Sequence, residues 1–157
     1  MSGTGLDHSY TYYFAATYAR NEEMRRYRDE LERTIVGGRV TSRWIDQHGR
    51  VELEAVTTEW LNNHPDECWQ TASIDIEDMT ASAALLLFTG DGEGVRSRGG
   101  RHTEFGYASS DFASYDSPRL IVVGPRENVF HCNPAVEVFS TWTRFLDAEV
   151  ERWTPRS

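Results

Sequence analysis

The sequence predicts an open α/β fold, a parallel sheet with helices on both faces, in one domain over residues 1–157. Two observations carry that expectation. Segments with strand character alternate along the chain with segments of helical periodicity, the pattern of an open parallel sheet. One strand segment, residues 84–89 (ALLLFT), is apolar with almost no alternation, as a parallel strand covered on both faces is.

The elements follow in order. Residues 10–17, YTYYFAAT, form a dense aromatic run whose β propensity suits a buried first strand. Asn21 precedes EEMRRYRDELERTI, in which Met24, Tyr27, Leu31 and Ile35 recur at helical spacing. Asn21 is the expected N-cap, with Glu22 and Glu23 in the first turn where the helix dipole favours acids. Gly37 and Gly38 stop this helix. Residues 39–45, RVTSRWI, read as a second strand, followed by a polar loop over 46–50. A short helix is expected over residues 52–61, interrupted at 62–65, and a longer one from Asp66 as cap through Ser82. The apolar stripe of the longer helix is Trp69, Ala72, Ile76, Met79 and Ala83. Asp75 lies at the edge of that stripe, roughly 80° from its centre, and Asp78 farther round toward solvent. After the third strand come a glycine-rich loop at 90–100, a helix over 101–113 and a fourth strand at 119–124. A polar loop runs through Asn133, then a fifth strand at 136–139 and a last helix over 141–153. Ligands of such sheets bind beyond the carboxyl ends of the strands, near the switch in strand order. The loops after Thr17, at 90–100 and at 125–133 are therefore the ones to inspect.

Composition narrows the function classes. Hydrophobic residues at 39% and aromatics at 12% exclude a disordered chain. Sixteen Lys and Arg against 25 Asp and Glu leave a net charge of −9. That balance argues against a nucleic-acid polymer as partner, since phosphate-backbone binding needs positive charge, whereas a single nucleotide needs only a local pocket. The longest strongly apolar stretch, residues 83–88, is too short to cross a bilayer. MSGTGLDHS lacks the basic flank and apolar core of a signal peptide, so the expectation is no membrane partner and a cytoplasmic address. Cys68 and Cys132 have neither zinc nor redox-motif spacing and are expected as free, buried thiols. Asp91 and Glu93 are too few to hold a metal, and none is expected.

The chemistry concentrates in GGRHTEFGYA, residues 99–108. Gly99 and Gly100 let the backbone turn tightly and approach a ligand closely. Glu104 then falls in or near the first turn of the following helix, where free N–H groups and the dipole favour its ionised form. An ionised carboxylate at the carboxyl end of a strand can attack the anomeric carbon of a sugar. Taken alone, an acid at a helix start is more often simply a stabilising residue.

This segment resembles the active-site segment of the nucleoside 2-deoxyribosyltransferase family, which includes related nucleotide N-glycosidases and has a glycine-containing loop followed by Glu-hydrophobic-Gly-Tyr-Ala. YYFAATYARN is similar to that family's first strand and turn, WQTASIDIEDM to a helix presenting a base-contacting aspartate, and VGPRENVF to a loop that reaches a neighbouring subunit's pocket. The likeness extends from Tyr12 to about Phe130. It implies a flavodoxin-like, doubly wound parallel sheet of about five strands with helices on both faces. It further implies Glu104 as the nucleophile that attacks deoxyribose C1′, Tyr13 as the active-site tyrosine and Asp75 as the group that assists the leaving base. Asn128 would bind the sugar 5′-hydroxyl, with Phe130 in the same loop, and the chain would be a homo-oligomer. The partners implied are a nucleoside or nucleotide and a free base, with no cofactor. Arg98 stands where many members carry an aspartate, and Ala83 near where they often carry another.

That departure keeps two other functions in view: a nucleoside 5′-monophosphate N-glycoside hydrolase, and a non-catalytic nucleotide-binding module. Arg96, Arg98 and Arg101 suit a phosphate by guanidinium geometry, or form a solvated basic loop. Asp75 is otherwise a helix-edge residue, Tyr13 a packed strand residue, Asn128 a turn cap, and His102 a surface histidine. Trp44, with Arg43, either offers a stacking face to a base or belongs to the core.

Overall fold

A computed structural model describes residues 10–46, 57–91 and 99–154. Among these residues the strands β1 (Thr11–Ala15), β2 (Arg39–Val40), β3 (Ala84–Phe88), β4 (Arg119–Val123) and β5 (Glu137–Phe139) form one sheet. All its pairings are parallel and its order is β2-β1-β3-β4-β5. This is the doubly wound α/β arrangement of flavodoxin-like proteins, with its switch point between β1 and β3.

Alternation along the strands divides the core into two layers. Tyr12, Phe14, Leu86, Phe88, Ile121 and Val123 face the layer closed by α1 (Asn21–Thr34) and α5 (Trp142–Trp153), which contribute Met24, Leu31, Trp142 and Phe145. Tyr13, Ala15, Leu85, Leu87, Leu120 and Val122 face the opposite layer, closed by α3 (Pro65–Thr80) and α4 (Gly100–Tyr115) through Met79, Phe105 and Ala108. A short helix, α2 (Thr58–Asn63), precedes α3 and is capped by the Thr57 hydroxyl, which accepts from the Trp60 N–H at 3.0 Å. No helix among the described residues is long and apolar enough to cross a membrane.

Several sequence expectations need correction. The second strand ends at Val40, because the Ser42 hydroxyl takes over the edge of β1. It accepts from Phe14 N–H at 2.7 Å and donates to Phe14 C=O at 3.3 Å, and residues Arg43–Asp46 then turn as a 3-10 helix. Asn21 is no N-cap: the turn Tyr18–Arg20 runs directly into α1, and the Asn21 amide donates instead to Ile45 C=O at 2.8 Å. The long helix begins at Pro65, a favoured first position, and not at a capping Asp66. It has 16 residues, about 24 Å, against strands of five residues, about 17 Å, so one end overhangs the sheet. Trp69 on that overhang is 66% exposed rather than part of a buried stripe. Asp78, expected toward solvent, is buried. Cys68 and Cys132 are free, as expected, but Cys132 is exposed and Cys68 only half-buried. Of the short helix expected over 52–61, residues 52–56 lie outside the described residues, as do Glu93, Arg96 and Arg98.

Gly124, which ends the fourth strand, has φ +123°, and a Cβ there would lie 2.4 Å from Thr89 Oγ1. Only glycine lets β4 leave the sheet this close to the end of β3.

Candidate active site

Tyr13 and Glu104 meet on the α3–α4 side of the sheet. Tyr13 lies midway along β1 and is fully buried, and its hydroxyl donates to Glu104 Oε1 at 2.8 Å. Glu104 is the fifth residue of α4, because the helix starts at Gly100. It therefore sits in the second turn, past the free N–H groups expected to ionise it. Burial, reinforced by the nearby charge of Asp75, pushes its carboxyl up to about 7 despite the opposing Tyr13 hydrogen bond. Among the described residues no hydrogen bond engages its other oxygen, Oε2. Tyr13 is held well above its ordinary range by burial and by Glu104, and remains a proton donor.

Asp75 comes to the same place from α3. Its Oδ1 is buried with no hydrogen-bond partner among the described residues. Burial, followed by the charge of Asp78, raises its pKa to about 6, with Arg43 opposing. Asp75 thus ionises before Glu104, and its charge then opposes the second ionisation. Asp78, one helical turn on, is committed elsewhere. Its carboxylate accepts from the Arg43 backbone N–H at 2.8 Å and from Arg43 Nε at 2.7 Å, pinning the 3-10 turn after β2 onto α3. That turn holds Trp44 at the end of β1, with Nε1 donating to Phe14 C=O at 2.8 Å and its ring 6.4 Å from the Tyr18 ring.

The glycines divide in role. Gly99 caps α4 in the left-handed conformation, φ +83°, and that backbone explains its need for glycine. Gly100 is the first helical residue, and a Cβ at either would meet no other atom within 4 Å. The next residue, Arg101, expected either as a phosphate ligand or as part of a solvated basic loop, is instead buried and spent within the protein. Its guanidinium donates to Phe88 C=O at 3.1 Å, to Asp91, and to Glu127 at 2.9 Å. Sequence reasoning missed this clamp, because its three members sit in separate segments that only the sheet brings together. Glu127 also accepts from Gly90 N–H at 2.9 Å, tying the loops after β3 and β4.

Asn128 acts as a turn cap. Its Oδ1 accepts from Phe130 N–H at 3.0 Å in the turn Val129–Cys132, and its amide lies 3.5 Å from His102 Nδ1. His102 in turn stacks on His131, with ring centres 5.7 Å apart. His131 is fully buried and its Nδ1 accepts from Glu127 N–H at 3.1 Å, which leaves the proton of the neutral ring on Nε2. Burial lowers its pKa, and the ring stays neutral. Phe130 and Val129 project outward, 74% and 78% exposed. Tyr13, Glu104 and Asp75 are thus assembled at one place, while Arg98 lies outside the described residues.

No family model, curated protein or solved structure matches this chain.

Proposed function

We propose that the protein cleaves or exchanges the N-glycosidic bond of 2′-deoxynucleosides by double displacement, as a nucleoside 2-deoxyribosyltransferase. The observation that supports this reading best is the Tyr13–Glu104 hydrogen bond of 2.8 Å beside the unpartnered oxygen of Asp75. It joins a nucleophilic carboxylate, a group that orients it, and a second carboxyl able to hold a proton. Glu104 Oε2 attacks C1′ as the C1′–N bond breaks, and the bonding pair leaves with the base, which takes a proton from Asp75. A second base or water then attacks C1′ and gives its proton to Asp75, and the C1′–Oε2 bond breaks to free Glu104 as a carboxylate. Trp44 and Tyr18 offer ring faces to a base. The homo-oligomer belongs to the same proposal, and the exposed Val129 and Phe130 beside Asn128 are consistent with a surface that a second copy covers. The monophosphate reading loses Arg101 to its buried ion pairs and rests on Arg96 and Arg98 alone.

Chromatography of free bases after incubation with deoxynucleosides and their monophosphates, each with and without a competing base, tests the proposal. A new nucleoside formed only with the acceptor base establishes transfer. Free base without an acceptor establishes hydrolysis, a strong preference for monophosphates selects the nucleotide reading, and no release from any substrate favours a binding module.

The pH profile tests the carboxylate pair. The competent form carries one proton, on Asp75, with Glu104 ionised, so kcat/KM should trace a bell with flanks near 6 and 7. Because Glu104 has the higher pKa, that arrangement is the minor one of the two singly protonated forms. Tyr13→Phe removes the hydrogen bond that lowers the Glu104 pKa. It should move the alkaline flank upward and reduce kcat/KM on the order of tenfold, since the competent form becomes scarcer. An unmoved alkaline flank would mean that Tyr13 does not set the ionisation of Glu104.

A further inference from the structure

A cavity of about 270 Å³ opens at the amino-terminal edge of the sheet, the end away from the carboxyl-edge loops. It lies between the last turn of α3 at Met79 and Thr80, Ser82 ahead of β3, and a stripe of Tyr107, Asp111 and Tyr115 on α4. The stripe residues follow at four-residue spacing, which places their side chains one above another on the helix. Tyr107 and Tyr115 are 53% and 78% exposed, so their ring faces are open to a guest. Asp111 between them forms no ion pair among the described residues.

Asp111 and two helix ends give this cavity a negative character, and the hydroxyls of Tyr107, Tyr115 and Ser117 add groups that donate or accept. α3 ends at Thr80 and α4 at Tyr115, so the carbonyl ends of both helices converge here, and neither helix has a basic residue in its last turn. The hydroxyls of Thr80 and Ser82 donate their protons to Ile76 C=O and Met79 C=O, both at 2.8 Å, and present only lone pairs to a guest. No Lys, Arg or His lines the cavity among the described residues.

We propose that this cavity is a binding site for a guanidinium group carried by a small organic cation, separate from the nucleoside site. A guanidinium is planar and weakly hydrated, stacks on tyrosine faces, and pairs with a carboxylate through two parallel N–H groups. A bare divalent metal is less suited, since Asp111 is the one carboxylate lining the cavity among the described residues and no group of three or more His, Cys, Asp or Glu side chains gathers there.

The experiment is an NMR titration of the full chain at low ionic strength with propylguanidine, its neutral isostere propylurea, and arginine blocked at both ends as N-acetylarginine methylamide. Propylguanidine should give saturable shifts at the rings of Tyr107 and Tyr115, with propylurea at least about tenfold weaker. Asp111→Asn and Tyr115→Ala, both on the outer face of α4, should each weaken propylguanidine about tenfold and leave base release at Glu104 unchanged. Absence of saturation, equal affinity for propylurea, or undiminished binding by Asp111→Asn overturns the site. Binding of blocked arginine alone overturns the choice of a free small cation and assigns the cavity to a protein side chain.

Discussion

Glu104→Gln is expected to lower turnover by about a thousandfold or more and, at pH 8, to make the protein more stable. The first effect follows from removing the proposed nucleophile while keeping the acceptor oxygen that Tyr13 addresses. The second follows from proton linkage. In the unfolded chain this carboxyl ionises near 4.5, and in the folded protein burial and the charge of Asp75 hold it near 7. Between those values the unfolded chain has shed a proton that the folded protein keeps. Stability is therefore fully present below the unfolded value and is lost as pH rises through the folded one. The interval corresponds to at most ~3 kcal/mol, and partial exposure of Glu104 reduces the expectation to about 2 kcal/mol. Thermal unfolding at pH 5 and pH 8 should show a decline in the wild type that is smaller in the variant by about 6 °C. Retained turnover would remove Glu104 from its role. Parallel stability curves would show instead that its carboxyl is not held protonated by the fold.

The same residue marks how far the sequence could be read. Glu104, Tyr13 and Asp75 were named together only through the resemblance of their segments to one family, and the structure brings the three side chains near one another. Their protonation was not legible. Placing Glu104 at the helix start predicted an ionised carboxylate, whereas the helix starts one residue earlier than expected, at Gly100, which leaves Glu104 beyond the free N–H groups and beside Tyr13. The sheet was legible from the residues themselves: β3 and β4 are covered on both faces, and covered strands write themselves as apolar runs. The edge strand β2 was overread, since a serine hydroxyl that completes a ladder looks in sequence like any other strand residue. Asp78 shows the same limit. The helical wheel turned it toward solvent, but a 3-10 turn from another segment covers it and supplies its partner, Arg43. Periodicity reports which face of an element is apolar. It does not report which polar residue another segment will cover.

Arg101→Met is expected to cost about 3 kcal/mol of folding stability and about 10 °C in thermal midpoint. Methionine keeps much of the side-chain length but leaves Asp91, whose side chain is 9% exposed, and Glu127, at 27%, without their guanidinium. Phe88 C=O loses a donor as well. Asp91 retains the Thr17 hydroxyl at 3.3 Å and Arg20 at 3.6 Å, which holds the expectation toward the lower end for a broken buried pair. Arg101→Lys restores the charge but cannot reach a carbonyl and two carboxylates at once, so it should recover less than half of the loss. The consequence extends to the site, because Arg101 joins α4 to the loops after β3 and β4, and Asp91 extends the link to the turn after β1. Glu104 is one turn farther along the same helix. Turnover by any folded Arg101→Met protein should therefore fall, with kcat more affected than KM if the clamp sets the approach of Glu104 to C1′. Urea unfolding and steady-state kinetics on the two variants decide the matter. Near-normal stability in Arg101→Met would mean that the three loops hold one another without the arginine. Arg101 would then be free for the anion-binding role that its place beside the glycine-rich loop first suggested.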